Sequence, residues 1–135
     1  MKIVVIDGQG GRIGKALVAG LKAALPQTEI TAIGTNSIAA MAMSKAGADL
    51  IATGENPVVV AAADADIIAG PMGIILANAL LGEITPKMAE AVSGSRAEKV
   101  LIPVTRCRVS VAGVGEMTMG DYVRLAVERV RRMAQ

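Results

Sequence analysis

The sequence has no histidine, tryptophan or phenylalanine, one tyrosine (Tyr122) and one cysteine (Cys107). Without imidazole there are no histidine metal ligands and no Ser–His or Cys–His nucleophile pair, and the commonest general base is missing. A lone cysteine makes neither an internal disulfide nor a Cys-x-x-Cys site. Cys107 reads as a small buried hydrophobe, and the chain fits a reducing compartment. The opening MKIVVID shows no long apolar region with a cleavage site, so the expected location is cytoplasmic. The longest uncharged stretch, residues 67–82, is interrupted by Gly70-Pro71, Gly73 and Asn78. It also falls short of the roughly 18 apolar residues of a membrane span, so no membrane partner is expected.

What is present points to one compact domain over residues 1–135. Hydrophobic residues make up 53% of the chain and charged residues 19%, which excludes a disordered chain. A length of 135 residues leaves no room for a separate substrate domain. The core must come from Ile, Val, Leu, Ala and the eight methionines, which read as pliable filler. So apolar a small chain implies surface buried between subunits, hence a homo-oligomer. Net charge is +2 but uneven: residues 1–95 carry six basic and eight acidic side chains, residues 96–135 eight and four. The basic excess includes Arg106, Arg108, Arg124, Arg129, Arg131 and Arg132. Without aromatic stacking residues or a known motif it reads as the solvated face of a terminal helix, not a nucleic-acid surface.

Short apolar runs alternate with amphipathic stretches. Residues 2–6, 29–33, 49–52, 66–69 and 99–102 read as strands, the first a continuous β-branched run buried on both faces. Residues 109–112 read as a further strand, and 57–62 are ambiguous. Helices are expected over 11–25, from Asn36 or Ser37 to about Ala46, over 74–81, from Thr85-Pro86 to Ser93-Gly94, and over 121–134 behind a Thr118-x-x-Asp121 cap. This alternation predicts an α/β fold: a Rossmann-like, doubly wound three-layer domain with a mostly parallel sheet. Ligands of such folds bind beyond the carboxyl ends of the strands, at the switch point, so the loops of interest are 7–14, 34–37, 53–56 and 70–73.

The first strand runs into Asp7-Gly8-Gln9-Gly10-Gly11-Arg12-Ile13-Gly14, followed by a helix. Glycines there permit a tight turn, close approach of backbone to a phosphate, and helix-on-strand packing. The helix N-terminus adds free N–H groups. Two registers are open: Gly8, Gly10 and Gly14, or Gly8, Gly11 and Gly14. VIDGQGGRIG resembles the nucleotide loop of extended short-chain dehydrogenase/reductase-type Rossmann proteins, with Gly8, Gly11 and Gly14 on the Gly-x-x-Gly-x-x-Gly pattern and Ile13 in its apolar place. That resemblance covers about the first half of the chain. The catalytic Tyr-x-x-x-Lys of that superfamily is absent, since Ala126 stands four residues after Tyr122. Over nearly the whole length, VIDGQGG-x-IGK, AIGTNSIA, ATGEN, GPMGIILAN and LGEITPKMAEA resemble a family of short bacterial proteins known only as a domain of unknown function, which implies a free-standing Rossmann-like domain.

The end of the second strand reads Gly34-Thr35-Asn36-Ser37, without the carboxylate that NAD-binding loops place there for the ribose. Thr35, Asn36 and Ser37 instead offer donors to a 2′-phosphate, with Arg12 as a pairing cation, so NADP is the first cofactor expectation and NAD or another nucleotide the alternative. Gly70, Pro71 and Gly73 after the fourth strand complete the expected cofactor-binding set: Gly8, Gln9, Gly10, Gly11, Arg12, Ile13, Gly14, Thr35, Asn36, Ser37, Gly70, Pro71 and Gly73. No catalytic or metal-ligating residues are expected. Asn78 needs a hydrogen-bond partner if buried, and the charges of residues 83–87 read as solvating an interhelical loop. Three functions follow: a nucleotide-binding sensor or carrier; a small oligomeric oxidoreductase-like enzyme with its site between subunits, drawing on Asp7, Glu55 or Lys87; or a scaffold that binds nothing. A Gly11→Asp variant is expected to abolish binding and keep the fold.

Overall fold

The computed structural model describes residues 1–103 and 108–135. Arg106 and Cys107, and the expectations attached to them, lie outside the described residues. Five strands, β1 (Ile3–Asp7), β2 (Ile30–Gly34), β3 (Leu50–Thr53), β4 (Ile67–Pro71) and β5 (Glu98–Ile102), alternate with α1 (Arg12–Ala24), α2 (Ser37–Lys45), α3 (Glu55–Asp64) and α4 (Pro86–Ser93), and α5 (Met119–Met133) closes the chain. Every neighbouring pair is parallel, in the order β3-β2-β1-β4-β5. The fold is the Rossmann-like, three-layer α/β fold.

The β-branched run of β1 explains the layering. Ile3 and Val5 pack on one side with Leu17, Val18 and Leu21 of α1, Met43 of α2, and Val123, Ala126 and Val130 of α5. Val4 and Ile6 pack on the other with Val58 and Ala62 of α3 and Met88, Ala89 and Val92 of α4. A central parallel strand covered on both faces needs apolar side chains at every position, and β1 has them until Asp7. The chain leaves β1 towards β2 and returns through α3 to β4 on the other side of β1, which opens a crevice at the carboxyl ends of β1 and β4.

Local signals set most boundaries. Asn36 caps α2 by accepting from the Ala39 amide. Thr85 caps α4 with Pro86 at its first position, and Thr118 and Asp121 form a reciprocal capping box on α5. Three expectations change. Residues 57–62 belong to α3. Residues 109–112 form no strand and lie in an irregular segment before α5. Residues 74–81 are not a helix: a 3₁₀ turn spans Met72–Ile75, and linked turns follow as far as Glu83. The cause is backbone handedness. Asn78, Leu80 and Leu81 have φ of 68°, 56° and 56°, and Gly82 has 89°, so a right-handed helix cannot run through them. Asn78 is accordingly exposed, not a buried polar group in search of a partner.

Candidate functional site

Asp7 ends β1 and is the single buried charged side chain among the described residues. Its two carboxylate oxygens accept from the amides of Gly8 (2.8 Å) and Gly14 (2.7 Å), so β1 itself caps the N-terminus of α1. Burial pushes the Asp7 carboxyl above its ordinary value, against the pull of these amides, and nearby Glu83 adds to the rise. The loop between them fixes the glycine register. Gly11 has φ 71°, and a Cβ there would lie 2.8 Å from Ala39 Cα. A Cβ on Gly14 would lie 2.5 Å from Met43 Sδ, and one on Gly8 2.5 Å from Thr35 Oγ1. Gly10 differs: a Cβ would meet nothing closer than 4.0 Å. Backbone thus requires glycine at Gly11, a side chain at Gly8 or Gly14 would have to displace neighbouring side chains, and Gly10 stands exposed.

A cleft of about 1090 Å³ opens at this switch point. Gly8, Gln9, Gly10, Gly11, Arg12 and Ile13 form one wall, and Pro71, Met72, Gly73 and Pro103 at the ends of β4 and β5 form the floor. Val111, Val114, Met117 and Tyr122 close the far side. Of the loop donors, the Gly11 amide bonds Gly8 O at 2.9 Å and the Gln9 amide is taken by Glu83. The amides of Gly10 and Arg12 have no acceptor among the described residues. The Arg12 side chain is exposed at the cleft and has no ion-pair partner among the described residues. One segment therefore offers two free backbone donors, a helix N-terminus and a guanidinium to an anion.

The end of β2 is arranged differently. Thr35 Oγ1, Asn36 Nδ2 and the Gln9 amide converge on one oxygen, Glu83 Oε1, at 2.6, 2.7 and 2.9 Å. Burial alone would raise the Glu83 carboxyl; bonds from Thr35, the Gln9 amide and Asn36 outweigh it and hold it below the ordinary glutamate value. The end of β2, which has no carboxylate of its own, is thus occupied by one from a turn nearly fifty residues further along, and Glu83 itself does not line the cleft. Thr35 and Asn36 do not line the cleft. Ser37 lies on a separate shallow surface with Lys15, Ile38 and Met41. Gly70 is buried beneath Ile6 O, where β1 and β4 approach, and Gly14 is buried against α2, so both serve packing. The structure brings together eight of the thirteen expected residues, Gly8 to Ile13 with Pro71 and Gly73. Glu83, Tyr122 and the 109–117 segment were missed: Glu83 looked like a solvated loop charge, and only the isolation of Tyr122 as the sole aromatic marked it out.

A family model described as a domain of unknown function, DUF3842, matches residues 2–135. The chain belongs to that family. No curated protein and no solved structure matches it significantly.

Among the described residues, the ionisable side chains that line the cleft of this DUF3842 domain are Asp7, Arg12, Glu116 and Tyr122. The Tyr122 hydroxyl donates to Gly115 O at 2.8 Å. Glu55 accepts from the Thr85 hydroxyl at 2.6 Å, and neither Glu55 nor Lys87 lines the cleft. Among the described residues no cluster of three or more His, Cys, Asp or Glu side chains has metal-binding geometry, and no helix is long and apolar enough to cross a membrane.

Proposed function

We propose that this DUF3842 domain is a nucleotide-binding module, a sensor or carrier that seats a phosphate on the Gly10–Arg12 segment and the body of the ligand in the cleft towards β4 and β5. The observation that carries the reading is the pair of unpartnered Gly10 and Arg12 amides at the N-terminus of α1, opening into a cleft at the switch point. Apolar walls from Met72, Leu80, Val111 and Met117 suit a base or a nicotinamide ring. The cofactor preference shifts from the one that sequence motifs favour. A 2′-phosphate at Thr35 and Asn36 would face the Glu83 carboxylate, which already takes both donors. In the closed arrangement the ligand is a nucleotide without that group: NAD, or a mononucleotide, rather than NADP.

The rival reading, a scaffold that binds nothing, draws on one fact: the Gly8, Gln9 and Gly14 amides are already bonded to the chain's own carboxylates. Calorimetric titration of NAD(H), NADP(H), ADP, ATP and FAD into wild type and Gly10→Asp separates the two. Gly10 has room for a side chain, so this variant keeps the fold and sets a carboxylate beside the phosphate seat. Gly11→Asp would not serve, because φ 71° and the contact with Ala39 disturb the fold itself. Binding by wild type that falls at least about tenfold in Gly10→Asp is expected; no heat with any nucleotide would leave the scaffold reading standing. The homo-oligomer part of the reading is carried by Ile38, Met41, Leu50, Ile51 and Val60, all exposed on α2, β3 and α3. Light scattering tests it, and a monomer at micromolar concentration would end it.

A further inference from the structure

We infer that Gln9, Thr35 and Asn36 form a second anion seat and that Glu83, on the 76–84 turn, is a latch that keeps it shut. Three donors from two different loops, a backbone N–H, a hydroxyl and an amide, all aim at one carboxylate oxygen. Such a convergence suits a phosphate oxygen as well as it suits Glu83. The latch is carried by a segment built to move as a piece. The turn is closed by its own bonds: Asn78 N to Ile84 O (2.7 Å), Gly82 N to Asn78 O (3.1 Å), Glu83 N to Leu80 O (3.1 Å) and Ile84 N to Ala79 O (3.1 Å). Buried Ile74 and Ile84 anchor its two ends, while Leu81 at its tip is 96% exposed. Asn78, Leu80 and Leu81 keep the left-handed turn whether or not Glu83 is bonded, because the turn's own bonds set it. Swinging outward breaks those three bonds and lifts Ala79 and Leu80 from Gly8, Gly73 and the core beneath α4, with the internal bonds kept.

The consequence for nucleotides rests on the reading proposed above. Gln9 adjoins Gly10, so an open latch places the second seat next to the first, and a ligand with two separated phosphate groups engages both. With the latch closed only one is available. The test uses inorganic phosphate, which depends on no nucleotide. Amide-resolved NMR follows phosphate titrated into wild type, Glu83→Ala and Glu83→Gln. In Glu83→Ala, the Gln9 amide and Asn36 side-chain amide signals are expected to move saturably, with phosphate bound at least about tenfold more tightly there than in wild type. Glu83→Gln, which keeps the length and one acceptor oxygen, should fall between and covers the event that the alanine variant does not fold. Equal response in wild type and variants, or none in a folded variant, overturns the inference. Signals of Gly10 and Arg12 report the first seat separately: their silence beside a response at Gln9 would count against the proposed function and leave the latch intact.

Discussion

Gly10 and Gly11 are neighbours with different reasons to lack a side chain. Gly11 needs φ 71° and clearance from Ala39, whereas Gly10 has open space. Gly11→Ala should therefore cost at least about 2 kcal/mol, from left-handed strain plus the clash, and Gly10→Ala about 0.5 kcal/mol or less; urea unfolding of both variants checks the contrast. The spacing of glycines in sequence could not choose between the two registers, because the choice depends on α2 packing over the loop. Asp7 and Glu83 make an opposed pair. The folded-state value of Asp7 is raised, so its contribution to stability is full below the unfolded value of about 3.9 and is lost as pH rises through the raised value. The folded-state value of Glu83 is lowered, so its contribution is present above the unfolded value of about 4.3 and is lost as pH falls through the lowered one. Carboxyl-carbon NMR titration should find Asp7 ionising above the free aspartate value and Glu83 below the free glutamate value; a shift of the opposite sign at either would contradict the buried and bonded geometry described for them.

Among the elements, those with caps and periodicity were legible. Leu17 and Leu21 repeat at helical spacing and are both fully buried on α1, so Leu21→Ala should cost about 2–5 kcal/mol in chemical denaturation. The Thr118–Asp121 box was visible as a spacing and is present as two bonds, Asp121 N to Thr118 Oγ1 at 3.1 Å and Thr118 N to Asp121 Oδ2 at 3.3 Å. Thr118→Ala should remove about 1 kcal/mol and fray the first turn of α5, read by hydrogen exchange at Asp121 and Tyr122. The 76–84 turn was not legible. Ile74, Ile75, Leu76, Ala79 and Leu80 satisfy an apolar helical pattern, and hydrophobic periodicity carries no information on the sign of φ. Only Asn78 and Gly82 hinted at a break. The same blindness hid Glu83, whose partners Gln9 and Asn36 lie 74 and 47 residues away along the chain.

For the whole molecule, strand order decides where a ligand can go. Alternating strands and helices announced a parallel sheet, and the reversal beside β1 places one crevice between the ends of β1 and β4. Which half of that crevice stays open is a tertiary matter: the 76–84 turn covers the side over β2, and the cleft runs instead towards β5 and the segment before α5. The most direct test is an amide-resolved NMR titration of wild type with NAD. The signals of Gly10, Arg12 and Gly73 should move together and saturate, while the Asn36 side-chain amide, held by Glu83, stays in place. A titration in which no amide between Gly8 and Gly14 moves would contradict the assignment of the glycine loop as a nucleotide seat.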